Sequence, residues 1–177
     1  MIARLAGLAL LGGLAAWAVD AWLRRRTPDG DVPPIRSLAV IDAPVARVWA
    51  ELVDIEAQPR WMHDMKSVRM ADDGPLRVGS RGEATVRMYG VSVTDPVTIT
   101  VLEAPASFAL THEGLVSGDG IFRLEPGADG TTTIVRWDER LVLPVLPHLG
   151  AVLAGPVFRG VFQRDLERFT AIVEASA

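Results

Sequence analysis

The stretch "APVARVWAELVDIEAQPRWM", Ala43–Met62, decides the fold. Pro44 suits the first turn of a helix, where a missing N–H costs nothing, and Asp42 before it is a candidate cap. Val45, Val48, Trp49, Leu52 and Val53 recur at three- and four-residue spacing, which gives the helix one apolar face. The pattern stops at Asp54. Ile55–Arg60 reads as a shorter helical stub, and Pro59 delivers Trp61 twelve positions after Trp49. Two of the five tryptophans are thus spent on one helical turn-back.

Upstream, Ile35–Ile41 reads as a strand. Downstream, Met65–Leu143 is β in character. Period-two alternation places Ala84, Val86 and Met88 on one face, then Val91, Val93, Val97, Ile99 and Val101. Phe108, Leu110 and His112 are in phase, as are Gly120, Phe122 and Leu124, and Val135, Trp137, Glu139 and Leu141. One wet face and one buried face mean an antiparallel sheet with hairpin connections. Asp95 is also in phase, but Pro96 beside it predicts a bulge that swings it outward. After Pro144 and Pro147, Leu149–Ala175 carries a helical stripe, and Gly155-Pro156 should kink or divide it.

A strand, two short helices, six antiparallel strands and one long helix make a curved sheet with a helix laid across it. From about Ile35 to Ala175 the chain resembles the SRPBCC superfamily (START and birch-pollen-allergen relatives, polyketide cyclase/dehydrase type). The residues that carry the resemblance are "IDAPVARVWAELVDIEAQPRWMHDMKSV", "GPLRVGSRGEATV", "ITVLEAPASFAL", "GTTTIVRWDERLV" and "FQRDLERFTAIVE". The resemblance implies an α+β helix-grip fold of about seven strands in which helix and sheet enclose a cavity. It implies less about function, because the superfamily includes carriers, cyclases and receptors.

Within that frame Trp49 reads as core. Trp61 either plugs the small-helix end or lines the cavity mouth. His112 and Glu139 are polar residues in phase with apolar ones, and a buried unpaired polar group costs about 1–3 kcal/mol. Each is therefore satisfied by neighbours or faces a wet cavity, where the two would be candidate acid and base. A strand between theirs makes direct contact doubtful. The candidate ligand-binding set is Trp61, Met65, Met88, Phe108, Leu110, His112, Phe122, Trp137, Glu139, Phe158 and Phe162. His63 and Asp64 read as polar residues of a surface loop. "GDG" at Gly118–Gly120 precedes no helix, so it is no phosphate loop.

The composition excludes other chemistry. There is no cysteine, hence no disulfide or thiolate site, and the three histidines lack metal-ligand spacing. No metal and no cofactor are expected. A net charge of −4 without a basic stripe argues against nucleic acid.

Residues 1–26 stand apart. Leu5–Val19 is uncharged and the apolar run reaches Leu23, close to the roughly 20 residues that a spanning helix needs. Arg24, Arg25 and Arg26 follow, which predicts a single-pass membrane anchor over residues 5–23 with the C-terminal domain cytoplasmic. The rival reading is a signal peptide cleaved near Ala16-Trp17-Ala18, with the domain exported. Residues 27–34, "TPDGDVPP", have linker composition, and 35–177 form the ligand-binding domain. A membrane-tethered carrier of a hydrophobic small molecule (lipid, quinone, isoprenoid or polyketide-like) is the expected function. A cyclase/dehydrase-like enzyme and an interaction module with a filled cavity are the alternatives.

Overall fold

In the computed structural model, residues 2–71, 73–88 and 90–176 are described, and the side chains of residues 2–10 and of Met88 lie outside that description. The apolar spacing in Ala43–Met62 produces helix α2 (Val45–Leu52), which buries Val48 and Leu52 and leaves Trp49 half-buried against the core. Asp42 does not cap it. The N-cap position is Pro44, without a side-chain cap, and the Asp42 amide instead donates to Glu174 Oε1. A 3₁₀ helix follows at Ile55–Arg60, with Pro59 inside it.

Seven strands form one antiparallel sheet: β1 (Ile35–Ile41), β2 (Met65–Met70), β3 (Arg81–Met88), β4 (Val91–Glu103), β5 (Ser107–His112), β6 (Ser117–Pro126) and β7 (Thr133–Val142). Their order is β1-β7-β6-β5-β4-β3-β2, a meander whose last strand returns beside the first. β4 stays in register through Pro96, pairing Ala84 with Asp95 and Glu83 with Pro96. The register shift on the β4–β5 side falls between Ile99 and Val101, so Asp95 keeps its inward phase. The strand proline is tolerated here because Pro96 lies just past the end of β5, the side its missing N–H would face and where its carbonyl accepts from the Glu113 amide.

Helix α3 (Pro147–Ala175) runs unbroken with Pro156 inside it, rather than dividing at Gly155-Pro156. It buries Leu166, Phe169 and Val173 against the sheet. Gln163 on α3 holds the open edge of β1, accepting from the Leu38 amide and donating to the Leu38 carbonyl. An edge whose backbone groups are occupied is a poor template for pairing with another chain. The core gathers Ile41, Val48, Leu52, Ile99, Phe108 and Val135 around Trp61, Trp137 and Phe169.

The N-terminal helix α1 spans Ile2–Arg24 and packs on α3. Among the described residues, no helix is long and apolar enough to cross a membrane. Six of the nineteen residues of the predicted anchor, residues 5–10, have side chains outside the description. The segment 27–34 differs from a free spacer: Val32 is buried, and backbone carbonyls of Gly30 and Val32 are hydrogen-bonded to the domain.

Candidate functional site

The sheet and the middle of α3 do not close fully on each other. Between them lies a cavity of about 320 Å³, at the small end of ordinary ligand pockets. Its walls come from β2–β7, from Ile55, Gln58 and Met62 at the small-helix end, and from Phe158, Val161 and Phe162 of α3. Val91 and Leu115, both strongly exposed, also line it and mark its mouth.

Inside this apolar enclosure three polar groups converge, and each sits over a glycine. His112 (β5) pairs with Gly118 across the ladder, and Glu139 (β7) pairs with Gly120. A Cβ at Gly120 would fall on the Glu139 carboxylate, and one at Gly118 would overlap the Arg140 carbonyl and come within 2.9 Å of His112 Nε2. A Cβ at Gly114 would overlap the Asp95 carboxylate. Because β6 lacks side chains at 118 and 120, His112 and Glu139 reach each other across it, Nε2 to Oε1 at 3.2 Å. The strand between them, which made contact doubtful from sequence, is what permits it. Glycine inside a strand often marks such a close approach.

The protonation of this pair follows from its partners. His112 Nδ1 faces only the Val116 carbonyl, at 3.1 Å, and must donate to it. One proton then lies between Nε2 and Glu139 Oε1, while Trp137 Nε1 donates to Oε2 at 2.9 Å. Burial raises the Glu139 carboxyl above its ordinary 4.5, partly offset by His112 and Trp137. Burial pulls the His112 imidazole down, but the hydrogen bond and charge of Glu139, with Val116 and Asp95, more than offset it and lift it above 6.5. Both groups therefore hold protons more tightly folded than unfolded. Their contribution to stability is full at acid pH and declines as pH rises through their folded pKa values. Urea midpoints should accordingly fall as pH rises past the ordinary values of 4.5 and then 6.5, with a smaller pH slope in Glu139→Gln. An equal slope in both proteins would contradict the shared proton.

The other end of the cavity carries Gln58, Asp64 and Asp165. Gln58 is buried, and its Nε2 has no hydrogen-bond partner among the described residues. Asp165 is raised by burial, and its Oδ1 accepts from the His63 amide and from Arg168. No group of three or more potential metal ligands occurs among the described residues.

Of the residues selected from sequence, Met65, Leu110, His112, Phe122, Trp137, Glu139, Phe158 and Phe162 line the cavity. Trp61 and Phe108 do not. Both are fully buried, with Trp61 packed on Phe122, Trp137 and Phe169 at centroid distances of 6.3, 6.1 and 5.1 Å. Trp61 is the floor beneath the small-helix end, not the mouth. The Met88 side chain lies outside the described residues. Sequence reasoning missed Gln58, Asp64 and Asp95. Asp95 had the right phase and was set aside for Pro96, whereas Gln58 sits in a short helix where no period marks the inward side.

Residues 35–174 match the family described as polyketide cyclase / dehydrase and lipid transport. No curated protein matches the chain. Among solved structures, a Deinococcus radiodurans protein is 19% identical with a TM-score of 0.62, over 81% of this chain and 99% of that one. A Thermus thermophilus protein is 18% identical with a TM-score of 0.64, over 82% and 99%. A START superfamily protein from Mycobacterium smegmatis is 17% identical with a TM-score of 0.58, over 81% and 96%. Identities this low speak for the fold alone. With a family match across nearly all of the sheet and α3, and an apolar cavity where helix grips sheet, the chain belongs to the polyketide cyclase/dehydrase and lipid transport family of the SRPBCC superfamily.

Proposed function

We propose that this protein is a membrane-tethered carrier of an apolar small molecule bearing a hydroxyl group. The observation that carries the reading is a pair of carboxyl groups on the wall of a largely apolar cavity, Glu139 buried and Asp95 half-buried. A carboxylate desolvated in this way rewards a ligand hydroxyl that donates to it. The apolar residues 5–23 support the tether, and Arg24–Arg26 support a cytoplasmic domain.

The test is displacement of N-phenyl-1-naphthylamine from the full chain by 1-dodecanol and by dodecane. The alcohol should compete about ten- to 150-fold better, since a hydrogen bond to a charged group is worth about 1.5–3 kcal/mol. The preference should vanish in Asp95→Ala combined with Glu139→Gln. Equal displacement by both compounds would overturn the reading.

The shared His112–Glu139 proton favours one second reading, in which the pair protonates a bound carbonyl as a cyclase or dehydrase would. Glu139→Gln would then abolish turnover while leaving binding intact.

A further inference from the structure

We propose that α1 is not a loose tether but is locked to the domain through Asp20, so that the cavity mouth is held against the lipid bilayer that α1 enters. This inference rests on the tether reading above and adds the pose. Asp20 lies one turn before Arg24, near the end of α1. Its Oδ1 accepts two backbone N–H groups from the first turn of α3, His148 at 2.9 Å and Leu149 at 2.8 Å. α3 has no side-chain cap of its own, and Leu146 at its N-cap position has φ 51°. Asp20 therefore supplies from 128 residues upstream the oxygen that an N-cap usually supplies locally.

The connection between α1 and β1 is pinned as well. His148 Nε2 donates to the Gly30 carbonyl at 3.0 Å. Arg140 Nε donates to the Val32 carbonyl at 3.0 Å, while its other nitrogen pairs with Asp119 at 2.9 Å. Val32 itself is buried. Held at Asp20, Gly30 and Val32, the joint has no freedom to swing.

The direction of α3 then fixes what faces the membrane. From His148 to Phe158 on the cavity wall is ten residues, about 15 Å of helix. If α1 enters the bilayer with Arg24–Arg26 at the headgroups, the first turns of α3 lie at that level. Val152, Leu153 and Val157 on those turns are exposed, and so are Leu115 and Val91 on the hairpin tips at the mouth. Apolar side chains gathered beside an opening and continuous with a membrane-entering helix fit a lipid surface. Ligand would pass between bilayer and cavity without crossing water.

The chain has no cysteine, so single labels report without background. Bimane would be placed by Leu115→Cys at the mouth and by Glu125→Cys on the outer face of the sheet, in full chain reconstituted into phosphatidylcholine/phosphatidylglycerol vesicles. The expected result is quenching at position 115 by a lipid-borne nitroxide with protection from iodide, and the reverse at 125. In Asp20→Ala the lipid-borne quenching at 115 should be lost while the protein still floats with the vesicles. Asp20→Asn, which keeps the accepting oxygen, should retain it. Iodide access at 115 in the otherwise unaltered, vesicle-bound chain overturns the pose and leaves the tether standing. Protection from both quenchers overturns it in favour of a second protein copy over the mouth. A full chain that does not float overturns the tether and the pose with it.

Discussion

Trp61→Ala should cost about 3–5 kcal/mol of stability, the range for deleting a fully buried aromatic. Trp61 is 1% exposed and is the ring on which the small-helix end, the sheet and α3 meet. Its edges meet Phe122 and Trp137 at nearly right angles, an arrangement worth about 0.5–1.5 kcal/mol per pair beyond burial. Against a typical total of about 5–15 kcal/mol, the variant would be folded only marginally. Trp61→Phe separates ring packing from polarity. The indole Nε1 has no partner among the described residues, so phenylalanine removes an unsatisfied donor as well as some volume. Its cost should be far below that of alanine. Urea unfolding of both variants checks the contrast, and equal losses would mean that the cluster is not what Trp61 contributes.

Gly120→Val should destroy the polar site while leaving the fold. A side chain at 120 would occupy the Glu139 carboxylate, with Cβ 3.3 Å from Glu139 Cδ and 3.6 Å from Trp137 Nε1. Glu139 must then leave its bonds to Trp137 and His112. The overpacking costs about 1–3 kcal/mol, and the discrimination between alcohol and alkane should disappear. Gly155→Ala is the matching control. Nothing lies within 4 Å of a Cβ at that helical position, so it should be neutral or stabilise by up to about 1 kcal/mol. Binding titrations and unfolding curves on the pair measure both effects. Retained discrimination in Gly120→Val would show that Glu139 does not recognise the ligand.

The architecture was legible because alternation and helical spacing are properties of consecutive residues. Strand phases put Leu110, His112, Phe122, Trp137 and Glu139 on one face, and that face is the concave one. What alternation cannot encode is contact across an intervening strand. The His112–Glu139 bond depends on two glycines in β6, and strand phase, which aligns Gly120 with Phe122 and Leu124, says nothing of what crosses over them. Trp61 was ambiguous for a related reason: it follows a 3₁₀ helix, where one residue of difference in winding separates floor from mouth. The grip of Asp20 on α3 was invisible, since a lone acid ending an apolar run carries no sign of a partner 128 residues away. The segment 27–34 has the composition of a spacer, yet Val32 is buried and two of its carbonyls are held. Composition reports what a segment can do alone, not what it docks on.

The most direct test of carriage is native mass spectrometry of the full chain, released from mild detergent and followed by organic extraction. The expected species is heavier than the 19.1 kDa chain by one apolar, hydroxyl-bearing molecule, with that molecule absent from Gly120→Val. The bare chain mass in every preparation, with only solvent adducts, would contradict carriage.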